Sequence, residues 1–333
     1  MSSTAPRCGP PMTPDGARPC RSPRSCARSG RSPESEESSP LRRCRGYSGS
    51  MSAAVPPNGI RHALVLGGGG AVGLSWMAGV VIGLRENGVD PARAERIVGT
   101  SAGAVVGAAL AAEVDLSLLL RRPATDTADL PPIEFDPNSF GEIFGLLSTP
   151  GLDPAEARRR AGARALELNV GDPAAHIARI GAFVGHAEWP QRDLRITAID
   201  LTTGELQVWT PDGKATLPEA LASSTSVPGV FPPIPIEGTY YFDGGMRSPI
   251  NADLAAGAER MLIIEPLAHL FPHSPSDRDL GGAATTFIVP DAGAIAAYGP
   301  DLFAVAALEP AYEAGLRQGA EAAPEVKDIW PSA

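Results

Sequence analysis

Apolar residues fall into short solid runs, set apart by stretches that Ala, Gly and Pro punctuate, and the first run begins only after about residue 59. Ala63-Leu64-Val65-Leu66 reads as a strand that enters Gly67-Gly68-Gly69-Gly70-Ala71-Val72-Gly73 and then a helix from Leu74 to Asn87. Glu95 to Val98 predicts a second short strand. Ala102 to Ala112 predicts a helix so rich in Ala and Gly that it must pack closely on its neighbours. Leu116 to Trp189 is mostly helical, broken by Pro131-Pro132, Pro137 and Pro150-Gly151. Leu194 to Ile199 and Glu205 to Trp209 alternate as strands about the Thr202-Thr203-Gly204 turn. Tyr240-Tyr241-Phe242 is an aromatic strand, Met261 to Glu265 a buried one, and Pro310 to Ala320 a terminal helix. This order predicts an α/β fold: a three-layer sandwich whose central, mostly parallel sheet carries helices on both faces and its site at the carboxyl ends of the strands.

Composition separates a tail from this body. Residues 1–58 are crowded with Ser, Pro, Arg and Gly, nearly lack aliphatic side chains and cannot bury a core, so they are expected to be disordered, with a single catalytic domain over 59–330. All four cysteines, Cys8, Cys20, Cys26 and Cys44, lie in the tail at spacings that match neither a zinc nor a redox pattern. The prolines and Glu34, Glu36 and Glu37 argue against an amphipathic targeting helix. Met51 is the expected initiator. A cysteine-free body suits a reducing compartment, so a cytoplasmic location with peripheral membrane contact is expected. Residues 1–50 hold nine Arg against four acidic residues while the whole chain carries a formal charge of −10, so the body is markedly acidic. Nucleic acid is therefore not an expected partner. No apolar run approaches the roughly 20 residues of a membrane-spanning helix, so lipid contact would be hydrophobic and superficial.

Candidate chemistry sits where the first two strands end. In Gly99-Thr100-Ser101-Ala102-Gly103 a serine stands at a sharp strand-to-helix turn, where side chains two positions before and after would collide; hence Gly99 and Gly103. The following helix directs its first amides and the positive end of its dipole at the place where an oxyanion would develop, which favours acyl transfer. An ordinary Gly/Ser loop is the plainer reading of the same five residues. The glycines after the first strand expose successive N–H groups that suit either a phosphate or an oxyanion. Gly68, Gly70 and Gly73 also satisfy the dinucleotide-binding spacing, which requires an acid about twenty residues on at the end of the second strand. Asp90 and Glu95 are roughly placed, but Asp90 precedes Pro91 in a loop and Glu95 begins the next strand. Farther on, Ser223-Ser224-Thr225-Ser226-Val227-Pro228-Gly229-Val230-Phe231 precedes Asp243-Gly244-Gly245. Asp243 is either a hairpin-turn aspartate or a carboxylate held at a strand end, with glycines leaving it room to approach a hydroxyl.

Together the glycine loop Gly68 to Gly73, the G-x-S-x-G around Ser101 and Asp243-Gly244-Gly245 resemble the patatin-like phospholipases, in order and separation, over most of the chain from about Arg61. Asp200 to Gly204 and Ser248 to Asp253 are similar to bacterial members of that family. The resemblance implies a Ser-Asp dyad without a catalytic histidine: Ser101 as nucleophile, Asp243 as general base, and the amides of Gly68, Gly69, Gly70 and Ala102 around the oxyanion. Gly73, Gly99, Gly103, Gly244 and Gly245 would support these motifs. It implies hydrolysis of a carboxylic ester of a phospholipid, lysophospholipid or other acyl lipid, with no metal or organic cofactor. Val72 departs from the pattern, since many members carry Arg or Lys there, and Ser226 stands where Ala is frequent. A catalytically inactive lipid-binding protein is the second alternative beside the dinucleotide reading.

Histidine tests a competing hydrolase order of serine, acid and histidine, which Ser101, Asp243 and His269 or His273 would satisfy. Pro272 and Pro275 mark that stretch as a surface loop, so both histidines are expected to be solvated. His62, His176 and His186 show no partner pattern. Phe140, Ile143, Phe144, Leu146 and Leu147 are expected to form the packed face of an amphipathic helix, with an acyl-chain channel or lid as the alternative. Arg158-Arg159-Arg160 is expected to be a solvated helix face rather than a phosphate contact.

Overall fold

The computed structural model describes residues 59–120, 136–185 and 188–330, all within a compact unit spanning residues 53–333. The expectations for residues 1–58, with their cysteines and Met51, and those for Pro131-Pro132 and His186, lie outside the described residues. The elements, in chain order, are β1 (His62–Leu66), α1 (Gly70–Glu86), β2 (Arg96–Gly99), α2 (Ala102–Ala111), α3 (Pro137–Leu147), α4 (Pro154–Leu168), α5 (Pro173–Val184), β3 (Asp193–Asp200) and β4 (Leu206–Trp209). They continue through α6 (Leu217–Ser224), β5 (Ile234–Ile236), β6 (Thr239–Asp243), β7 (Arg260–Ile264), β8 (Ala284–Ile288), α7 (Ala292–Tyr298) and α8 (Leu308–Ile329).

The eight strands form one mixed sheet in which β3, β2, β1, β7 and β8 run parallel and β4, β5 and β6 are antiparallel additions. Ala63 to Leu66 are buried on both faces, as a solid apolar run in a central parallel strand requires. One face of the sheet carries the larger core, where Leu64, Leu66, Ile97, Leu194 and Ile264 meet α1, α2, α5, α6 and α8. On the other, Val65, Val98 and Ile263 meet Ile250, Ala252 and Ala255, while Ile199, Leu201 and Phe242 lie under α4. Helices thus cover both faces, unequally.

The register of β3 decides what lies next to what. Ile196 pairs with both Gly99 and Trp209, so β2 and β4 occupy opposite edges of β3. Ala198 and Ile199 pair with both β4 and β6, so β6 shares the β2 edge. Two strands therefore approach along one edge of β3 and stop nearly end to end, β2 at Gly99 opposite Ile196 and β6 at Asp243 opposite Ala198.

Helix starts divide into two kinds. α3, α4 and α5 each begin with an Asp-Pro pair in which Asp136, Asp153 or Asp172 caps the first amides and proline, with no N–H to satisfy, takes the first helical position. No side chain caps α1 or α2.

Several elements differ from expectation. α1 begins at Gly70 rather than Leu74: glycine is a poor helix former, but packing of this turn against Pro266 and Leu302 outweighs propensity. α8 continues through Pro324 to Ile329. β8 and α6 were not foreseen, since neither has a clean period in sequence. Arg158 corrects the idea of a solvated arginine face: it is buried and its Nε donates to the Gly204 carbonyl, because α4 lies across the β3–β4 turn. Arg159 and Arg160 do face solvent, paired with Glu156. On α3 only Ile143 is buried, against Ala161 and Ala165 of α4.

Candidate active site

Ser101 stands in the two-residue step from β2 into α2, with φ 55° and ψ −122°. Such a conformation costs a non-glycine residue about 1–3 kcal/mol and persists only where its surroundings over-determine it. Here they do. A side chain at Gly103 would run into the Leu66 carbonyl at the end of β1, and one at Gly99 would meet the backbone of Ala104. The Ser101 N–H donates to the buried Ser224 Oγ at 2.9 Å. The serine is only 7% exposed, so its hydroxyl meets a largely desolvated environment.

Asp243 ends β6 and is 2% exposed. Its carboxylate accepts a hydrogen bond from the Gly245 N–H at 2.7 Å, and the Ser101 hydroxyl lies close enough to lower the carboxyl's pKa. Its own N–H donates to the Ser226 carbonyl at 3.1 Å. Burial dominates its acidity and pushes the carboxyl up to about 7, with the Ser101 hydroxyl and the Gly245 N–H opposing that rise. Gly244 is required because any side chain there would collide with Thr197 on β3. The Ser223–Ser226 segment thus serves both partners, Ser224 holding the serine backbone and Ser226 the aspartate backbone.

Beside this pair lies the glycine loop, where a Cβ on Gly68 would sit 3.4 Å from Ser101 Cβ. Of the four amides expected around an oxyanion, Gly68 is the exception: its N–H already donates to the Pro249 carbonyl at 2.8 Å. Among the described residues no acceptor meets the amides of Gly69, Gly70 or Ala102. Gly70 and Ala102 are the first residues of two helices that no side chain caps, so both dipoles present their positive ends here. Gly73 closes the loop by donating to the Gly69 carbonyl at 2.9 Å. Val72 is fully buried, and its N–H donates to the Leu302 carbonyl at 3.0 Å.

The histidines lie elsewhere. His273 Nε2 is 2.7 Å from Glu265 Oε2 and its ring stacks on Phe287, so the solvated histidine expected there is half-buried and paired. His269 is exposed, with its ring edge-on to Tyr298. His176 is buried, stacked on Phe231 and bonded to Thr225, and desolvation lowers its pKa to about 3. The carboxylates that a dinucleotide reading needs are otherwise engaged: Asp90 caps the turn at Pro91 and pairs with Arg85, and Glu95 binds Arg61 and the His62 N–H. Among the described residues no cluster of three or more His, Cys, Asp or Glu side chains is arranged to hold a metal ion.

A network that the sequence did not announce lies beneath the pair. The Thr100 and Thr197 hydroxyls meet at 2.9 Å, and the Asn251 amide nitrogen donates to Thr100 Oγ1 at 3.1 Å, to the Gly244 carbonyl at 3.3 Å and to the Ser248 carbonyl at 2.8 Å.

A sheet that brings a strained serine toward a buried aspartate, between two uncapped helix starts, has the elements of an acyl-transfer site in an α/β fold. The sequence profile described as Patatin-like phospholipase matches residues 64–256, and the chain belongs to that family of lipid hydrolases. Among solved structures, VipD from Legionella pneumophila is similar at 13% identity and a TM-score of 0.39, over 80% of this chain and 67% of that one. The type III effector protein ExoU is similar at 16% identity and a TM-score of 0.36, over 79% of this chain and 52% of its own length. Likenesses this distant say nothing of this chain's chemistry. No curated protein matches in sequence.

Proposed function

We propose that the chain cleaves carboxylic esters of lipids through an acyl-serine intermediate. The observation that carries this reading is the convergence of a serine in strained backbone geometry, Ser101, and a buried carboxylate, Asp243, whose acidity that serine's hydroxyl alters. Ser101 Oγ attacks the ester carbonyl as its proton passes to Asp243. The oxyanion is held by the open amides of Gly69, Gly70 and Ala102. Asp243 returns the proton to the departing alcohol, leaving an acyl ester on Ser101. Water then gives its proton to the same carboxylate as it attacks that ester, and the collapse of the second tetrahedral species frees the acid and restores the serine. A carboxyl pushed up to about 7 is matched to both proton transfers near neutrality.

An acyl-lipid substrate would meet apolar aromatic surface on this side of the fold. Phe144 packs against Phe140 and Phe271, with centroids 4.2 and 6.4 Å away, and Phe231 lies 5.9 Å from Phe303. Lipid contact would be peripheral and apolar, at an acidic protein of the cytoplasm. Among the described residues no helix is long and apolar enough to cross a membrane.

A fluorophosphonate probe tests the proposal. Wild-type protein should be labelled and Ser101→Ala should not, with ester turnover falling by about 10⁴-fold or more. Labelling that persists in the folded variant would refute the reading, and lipid binding without turnover by the parent would favour the inactive binder.

A further inference from the structure

We infer that Asn251 is a positioning residue that sets the distance between the nucleophile and its base. The inference rests on the Ser101–Asp243 reading and extends it. Asn251 is completely buried, in the left-handed region with φ 49° and ψ 43°, just after the Asp243-Gly244-Gly245 turn. The orientation of its side chain is imposed by Arg247, whose Nη1 donates to Asn251 Oδ1 at 2.7 Å. A guanidinium can only donate, so the amide oxygen must face it and the NH₂ group must face the other way. Arg247 is itself anchored to Asp253 by bonds of 2.7 and 3.0 Å. The backbone of Asn251 is tied down separately, its N–H donating to Ser248 Oγ at 2.8 Å.

The NH₂ group so aimed directly joins two pieces of chain that are otherwise held together only through β3 and the Ser223–Ser226 segment. One is Thr100, the residue before the nucleophile, through Oγ1; the other is Gly244, the residue after the base, through its carbonyl. Thr197 meets Thr100 from β3, the strand on which β2 and β6 stop end to end. No ladder hydrogen bond runs between β2 and β6 themselves, because they lie along one edge of β3 rather than side by side. Asn251 supplies a direct cross-link between them. A proton transfer needs heavy atoms within about 2.6–3.2 Å, and displacement by about 1 Å can cost 10²-fold in rate, so a clamp one residue from each partner acts on turnover.

Two substitutions keep the left-handed backbone while removing the donor. Asn251→Asp keeps the shape and loses the N–H groups, and Asn251→Gly removes the side chain at a position where glycine is unstrained. On a short soluble p-nitrophenyl ester, with rates normalised to sites titrated to endpoint by fluorophosphonate, both should lower kcat by about 10- to 100-fold with KM within about threefold. Thr100→Val, which loses the hydroxyl acceptor at constant shape, should behave likewise, and Thr100→Ser should restore most of the rate. Combining Asn251→Asp with Thr100→Val should cost less than the product of the single losses, since both break one contact. Normalised kcat within twofold of the parent in folded Asn251→Asp and Asn251→Gly would overturn the inference, as would losses that vanish on normalisation. Ser101→Ala, run in parallel, separates the outcomes: activity surviving there refutes the dyad, whereas its loss beside unimpaired Asn251 variants refutes only the clamp.

Discussion

Glycine does opposite work in two regions of this molecule. Between α1 and α8, Gly315 lets the helix backbones touch: a side chain there would strike the Trp76 carbonyl, and Gly79, Gly83 and Gly319 repeat the pattern along the contact. Around them are Trp76, fully buried with its Nε1–H donating to Gln318, and the aliphatic core on that side of the sheet. That contact is a net source of stability, from dispersion at close range and apolar burial. At the elbow, glycines again permit close approach, but what they admit is a serine in strained backbone geometry and a carboxylate stripped of water. The first region spends nothing on chemistry. The second is held in an unfavourable state that the rest of the fold must offset, the relation expected between the proposed active site and its scaffold.

The comparison can be broken at its strongest point by removing the charge of Asp243. Asp243→Asn should lower ester turnover by about 10³-fold or more, for want of a base. It should also stabilise the fold in a pH-dependent way. Between about pH 4 and 7 the native carboxyl keeps a proton that the unfolded chain has released, so the parent loses stability as pH rises, reaching a deficit of roughly 4 kcal/mol above 7. The asparagine variant escapes this loss. Thermal melts at pH 8 and pH 4 check it: the stability advantage should be large at the first and nearly absent at the second, and a constant difference would contradict the assigned cause.

The pH profile of the parent sharpens the same point. Its kcat/KM on a soluble ester should climb about tenfold per pH unit below about 7 and level off above, where Asp243 is ionised and able to accept a proton. A flat profile from pH 5 to 9 would exclude it as the base.

Gly315→Ala attacks the other region. The added methyl should force α8 away from α1 and destabilise the protein by about 1–3 kcal/mol, while turnover per titrated active site stays within about twofold. A fall in turnover with unchanged denaturant midpoint would show that the helix pair is coupled to the chemistry rather than merely supporting it. Smaller still is the effect expected at Phe144 of α3. Phe144→Ala should reduce kcat/KM for long-chain esters by several-fold relative to butyrate, about 1 kcal/mol of lost apolar contact, and equal effects on both would assign Phe144 to packing alone.

Some of the site was legible in the chain because its requirements are local. A serine turning from strand to helix needs glycines two positions away on either side, and a carboxylate approaching a neighbouring strand needs glycine immediately after it. Both needs are written into Gly99, Gly103 and Gly244. The glycine loop was equally plain, though not which of its amides stay open: the acceptor that engages Gly68 is Pro249, far along the chain. Nor did the arginine triplet reveal that Arg158 turns inward, since only the packing of α4 over the β3–β4 turn sets that direction.

The amino-acid order alone determined the α/β alternation, the strand-to-helix elbow at Ser101 and the Asp243 turn, because backbone sterics and hydrophobic runs act over a few residues. Tertiary structure alone decided that β2 and β6 stop on one edge of β3, that Ser224 and Asn251 reach the elbow, and that Asp243 is dry enough to hold a proton to near neutrality. Those outcomes depend on sheet register and on burial, which are set by how distant segments share a core and cannot be read from neighbours in the chain.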